Sequence, residues 1–160
     1  MQHFISFIFF GLLFGIIGYT TSGKHGDVCL KFGLMEPGEF SEYYVSTETT
    51  HIPLCPSEDD PDFRFGYTLE YADDRLFSTY FRLALPAPPK VISGSLREAD
   101  ISSDRRVLTS IPMVYQASAV ETFAFNESDP FGKWQIDIYV NDALLRSIPF
   151  TVVSPTSISR

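Results

Sequence analysis

Four acidic side chains, Glu58, Asp59, Asp60 and Asp62, crowd five positions of the stretch CPSEDDPD (55–62). Calcium takes several oxygen ligands at once, so this cluster is the sharpest candidate for metal chemistry in the chain. Its spacing does not follow the EF-hand loop, and the glycine that such a loop needs is missing. A weak structural calcium site is the most it offers, and a solvated acidic loop is the plainer reading. We expect no bound cofactor. His51, in TETTHIP, is the histidine placed where a general base could work; His3 lies in the apolar opening segment and His25 near its end. Nucleophilic catalysis needs a base beside a nucleophile and an orienting acid. No GxSxG elbow, Gly-rich phosphate loop, HExxH or CxxC accompanies His51. A surface histidine is the plainer reading, and no catalytic residue is assigned.

Two cysteines occur, Cys29 and Cys55. In an oxidising compartment such a pair reads as one disulfide. It would close a loop of about 26 residues and contribute roughly 3 kcal/mol if unstrained. Two cysteines without paired histidines do not make a zinc set. Tyrosines on an outward sheet face could bind sugars or peptides; Tyr43, Tyr44, Tyr80 and Tyr139 are the possible members.

The whole chain has 160 residues, a one-domain length. It is 44% hydrophobic and 15% aromatic, enough for a real core, and its formal net charge is −8. Phosphate backbones need a basic stripe, and the 12 Lys and Arg are scattered here, so nucleic acid is a poor partner. Phe4 to Tyr19 is an unbroken run of apolar and small residues apart from Ser6. It is short for a membrane span of about 20 residues and fits the apolar part of a secretion signal. Thr21 and Gly23 have the spacing for cleavage before Lys24. Residues 1–23 are therefore expected to be a signal peptide, or an uncleaved anchor that would be the chain's one contact with a membrane. Residues 24–160 would form a single exported domain, periplasmic or extracellular.

The remaining chain reads as strands with turn punctuation at short spacing. Val28, Leu30, Phe32 and Leu34 alternate with polar or small neighbours. YYVSTETTHIPL is one β-branched strand. In FRFGYTLEY, Phe63, Phe65, Tyr67, Leu69 and Tyr71 share one face, which predicts one dry and one wet side. ADDR (72–75) is a short turn leading into LFSTYFRLALP, the expected antiparallel partner. PAPPK ends that strand, because proline removes ladder donors. READISSDRR (97–106) is a loop or a helical turn. Trp134, Ile136, Ile138 and Val140 point one way, and Lys133, Gln135, Asp137 and Tyr139 the other. After an Asn-Asp turn, Leu144, Arg146, Ile148, Phe150 and Val152 share a parity. Pro149 in mid-strand implies an edge or a bulge. The expected fold is all-β, an antiparallel immunoglobulin-like sandwich of roughly seven to nine strands, with a closed barrel as the alternative.

The pieces DPFGKWQIDIYVN and LLRSIPFTV, with FGYTLEY and ALPAPP before them, resemble uncharacterised bacterial exported domains that end in a G-x-W hairpin. The resemblance covers about two thirds of the chain after the signal. It implies an immunoglobulin-like sandwich and an exported location, and it implies no activity. The Cys29 and Cys55 pair is outside it and rests on spacing and compartment. The expected function is that of a non-enzymatic exported domain, binding an unknown protein or glycan in the cell envelope or supporting its structure. A small secreted hydrolase using His51 and loop carboxylates is the alternative.

Overall fold

The computed structural model describes residues 28–39, 42–54, 64–91, 99–125 and 127–153. Among them are eleven strands and no helix. In chain order they are β1 (Val28–Pro37), β2 (Tyr43–Glu48), β3 (His51–Pro53), β4 (Arg64–Tyr71), β5 (Leu76–Ala84) and β6 (Asp100–Ile101). β7 (Val107–Thr109), β8 (Met113–Gln116), β9 (Ser118–Phe123), β10 (Gly132–Val140) and β11 (Ala143–Val153) follow. They build two sheets. The smaller has the order β2-β1-β4-β9; the larger runs β3-β11-β10-β5-β7-β6, with β8 also paired to β5. All pairs are antiparallel except β3 with β11.

The alternating apolar residues explain the two layers. Phe65, Tyr67 and Leu69 leave the smaller sheet and meet Phe81, Trp134, Ile136, Ile138 and Phe150 from the larger, all buried. Burying each such side chain is worth about 1.5–3 kcal/mol over leaving it in water. Phe125 sits between the layers, 4.4 Å from the Phe65 ring and 4.8 Å from Trp134. Trp134 is a core plug, and its Nε1 donates to the Pro130 carbonyl at 2.9 Å.

Five expectations need correction. FRFGYTLEY and LFSTYFRLALP do not pair with each other. β4 and β5 belong to opposite sheets, and ADDR carries the chain across the sandwich. Their aromatic parities face each other through the core, as Tyr71 against Phe77 shows. YYVSTETTHIPL is two strands, because the chain leaves the smaller sheet after Glu48 and joins the larger at His51. β4 is not wet on one side: Gly66 and Thr68 are also buried. A Cβ at Gly66 would collide with the Glu121 carbonyl and stand 2.6 Å from Met35 Sδ. The parity along β11 breaks at a bulge, so Leu144 faces outward beside Tyr139 while Leu145 packs on the core. The strand count exceeds seven to nine because β3, β6 and β7 are pieces of two or three residues.

The turn and the edge of the closing hairpin are as read. Asn141 and Asp142 both have positive φ, 48° and 63°, the primed turn that suits right-handed strand twist. Pro149 lies on an edge. Thr151 N–H donates to the Thr50 carbonyl and the Val153 carbonyl accepts from Leu54, so odd residues of β11 turn their backbone toward β3. β3 reaches only Thr151–Val153. Pro149 therefore presents no N–H where the partner strand stops.

Candidate functional site

The outer face of the larger sheet carries the residues that the alternation of β10 directs outward. Gln135, Asp137 and Tyr139 stand opposite Ala84, Arg82 and Tyr80 of β5. Tyr80 and Tyr139 stack face to face, centroids 4.6 Å apart and planes within 3°. Direct cross-strand partners lie close enough for such contacts. Burial raises both phenols above their usual range; Asp137 raises Tyr139 further, and Tyr139 and Asp142 raise Tyr80. Both rings stay neutral hydrogen-bonding groups at ordinary pH. Leu144 lies opposite Tyr139 on the next strand and is half exposed. On the other flank, Val114 lies opposite Ser78, beside Leu76, and both apolar side chains are exposed. An apolar and aromatic strip thus crosses the face from β11 to β8.

Next to the strip, Asp137 is buried although it is charged. Its Oδ1 accepts from Ser147 Oγ at 2.6 Å and Gln135 Nε2 at 2.7 Å, and Oδ2 lies 3.6 Å from the Arg82 guanidinium. A buried carboxylate needs such partners. The network fixes Arg82 and Gln135 on the surface beside the tyrosines.

A second polar group lies between the sheets. Glu121 of β9 is directly opposite Tyr67 of β4 and points inward. Burial raises its carboxyl above the usual range, while the Tyr115 hydroxyl, donating at 2.8 Å, opposes the shift. Tyr115 itself is pushed up to about 12, first by burial and then by Glu121. The Tyr67 hydroxyl, fully buried, makes no hydrogen bond among the described residues, and the Thr79 hydroxyl donates to the Tyr139 carbonyl at 2.9 Å. On the opposite flank, an open cleft of about 540 Å³ runs along β11, floored by Leu30, Phe32 and Ile148 and edged by Glu48 and Arg146.

The other sequence candidates fare differently. His51 is exposed on β3; its backbone N–H is held by Thr49 Oγ1 at 3.1 Å, and no carboxylate pairs with its imidazole among the described residues. Glu58, Asp59, Asp60 and Asp62 lie outside the described residues, as do the 1–23 segment and Cys55. Cys29 is exposed at the Tyr71 end of β1. Among the described residues no three His, Cys, Asp or Glu side chains gather as a metal set. Tyr43 and Tyr44 are on β2, in the smaller sheet, away from Tyr80 and Tyr139. READISSDRR gives no helical turn in its described part: β6 leads into a tight loop where Ser102 Oγ bonds Asp104. Arg106 turns back to the Pro86 carbonyl at 2.6 Å, a structural contact. Sequence reading missed Arg82, Ser147, Tyr115 and Glu121. The outward parity of Asp137 was the one signal leading toward the first two.

A family model, the PM0630 beta sandwich domain, matches residues 30–153, from β1 to the last residue of β11. The chain belongs to this family. The match runs through both sheets and includes the outer face just described. A solved immunoglobulin-like protein from Pseudomonas aeruginosa is also similar, at 17% identity and a TM-score of 0.39, covering 82% of this chain and all of that one. Comparison with curated proteins returns no match. Membership supports an uncharacterised β-sandwich domain and carries no activity with it.

Proposed function

We propose that this family member is an exported, non-enzymatic binding module that meets a protein of the cell envelope through the outer face of its larger sheet. The Tyr80–Tyr139 stack carries the reading. Protein interfaces favour tyrosine and arginine anchors near a packed centre, with a polar network held in place beforehand. Here the stack has Leu144 and Val114 on its flanks and Arg82 held by Asp137 at its side. The apolar run Phe4–Tyr19 supports export, as a cleaved signal or an anchor. The hydrolase alternative has less support, because His51 stands on a surface strand without a paired carboxylate among the described residues.

The test compares capture from solubilised envelope by the wild-type protein and by the double variant Tyr80→Ala, Tyr139→Ala, with folding checked by circular dichroism. A partner retained by the wild type and lost by the folded variant supports the reading. Equal retention sinks it. A glycan array run in parallel separates the chemistries: tyrosine-dependent glycan binding without protein capture would replace the protein partner with a sugar.

A further inference from the structure

We propose that β8 is the self-association edge of this domain, pairing antiparallel with β8 of a second copy about a two-fold axis. An unpaired strand edge is a template for another strand, and folded proteins blunt such edges with charge, proline, shortness or inward-pointing charged residues. The other edges here show these devices. β2 is bracketed by Glu42 and Glu48. β3 is three residues long and ends in Pro53. β11 has Pro149 where β3 stops. β6 is two residues with Asp100. β9 carries the inward Glu121.

β8 is short, at four residues, but it carries no charge, no proline and no inward-pointing charged residue. It pairs with β5 on one side and with no strand on the other among the described residues. Val107 to Val120 contains no charged residue, and Pro112 stands before the strand, not within it. Val114 is 68% exposed, with Leu76 beside it at 69%, and Met113 and Ile111 are close to half exposed.

Charge selects the occupant. At −8, two copies of this chain repel each other across most of their surface. A charge-free edge is where they can approach without that cost, and a two-fold axis makes one surface complementary to itself. The backbone direction fits. Ala117 N–H donates to the Arg75 carbonyl at 3.1 Å, on the β5 side. Alternation turns Met113 and Tyr115 to β5 as well, and leaves the N–H and C=O of Val114 and Gln116 facing out. With Tyr115 on the axis, Val114 of each copy meets Gln116 of the other as a hydrogen-bonded pair. The two larger sheets then become one continuous sheet. A four-residue edge spans about 13 Å, so the association is concentration-dependent and not obligate.

Sedimentation velocity of the purified protein across a concentration series tests this. The weight-average mass should rise toward twice the monomer. Val114→Lys places two like charges across the axis, and Val114→Pro removes an outward donor without touching the β5 ladder. Either should weaken the dimer at least about tenfold, with the circular dichroism spectrum unchanged. Leu144→Lys, at the far end of the apolar strip, should leave it intact. A monomer at every concentration overturns the proposal. So does a dimer that survives both Val114 variants, or one that Leu144→Lys breaks. The binding reading above is tested by the tyrosine variants and stands or falls separately.

Discussion

Replacing Asp137 with alanine probes whether the outer face is built beforehand. The wild-type carboxylate accepts two short hydrogen bonds, from Ser147 Oγ at 2.6 Å and Gln135 Nε2 at 2.7 Å. Hydrogen bonds to a charged group contribute about 1.5–3 kcal/mol each. Ser147 and Gln135 are both exposed and rebond to water once the carboxylate is gone, which recovers much of that. The Arg82 contact, 3.6 Å away and partly in solvent, adds under about 1 kcal/mol. The deletion also relieves the cost of burying a charge. The net loss should be about 2 kcal/mol, and about half of that for Asp137→Asn, which keeps the shape but offers one oxygen. For a chain of this size that lowers Tm by roughly 4–8 °C. Urea unfolding followed by fluorescence reads it well, because the one tryptophan, Trp134, is buried on the same strand. The midpoint should fall with the slope unchanged. A midpoint that stays put or rises would refute the argument that this network holds β5, β10 and β11 in register on their outer side.

Two further outcomes are expected. Glu121 has its carboxyl raised by burial, so the folded state holds its proton to higher pH than the unfolded chain does. Its contribution is then complete below the ordinary Glu range and is lost as pH rises through the raised value. Glu121→Gln should raise Tm at pH 7, and the gain should shrink on acidification toward pH 4; thermal melts across that range check it, and a constant gain counts against the titration. Cys29 is exposed at the Tyr71 end of β1, and the expected bridge to Cys55 is read by intact mass with and without reductant. Reduction should add two hydrogens, and an unchanged mass would overturn the bridge.

Alternation told which residues go inward almost everywhere, since a period of two is a local property. The pairing and turn of the β10–β11 hairpin were legible because its partners are joined by an Asn-Asp turn. Pairing across the chain was not. Nothing in FGYTLEY or STYFRLAL says whether two aromatic faces will lie side by side or look at each other through a core. Bulges were invisible for a related reason: the extra residue at Leu145 is apolar and fits either side of the strand. Tyr80 and Tyr139 were both suspected of facing out, but their contact depends on the β5–β10 register, 59 residues apart. Glu121 gave no sign at all, because an acid in VETFAF reads as solvent-facing until Tyr115 is seen to cover it.

The short parallel strand β3 has a consequence for how the chain is made. His51 pairs with Thr151, one hundred residues later, and Leu54 is tied to Val153, the last residue of β11. The larger sheet cannot be completed while the final hairpin is still missing. A chain emerging from its amino end would present the apolar faces of β1 and β4 with part of their cover missing, since Trp134, Ile136, Ile138, Val140, Phe150 and Val152 of the facing layer come from β10 and β11. Folding of such distant pairings is slow, and the exposed strands are prone to wrong contacts in the meantime. Synthesis that stalls short of residue 150 would strand an unclosed half-sandwich, so the last residues of β11 decide whether the earlier strands are protected.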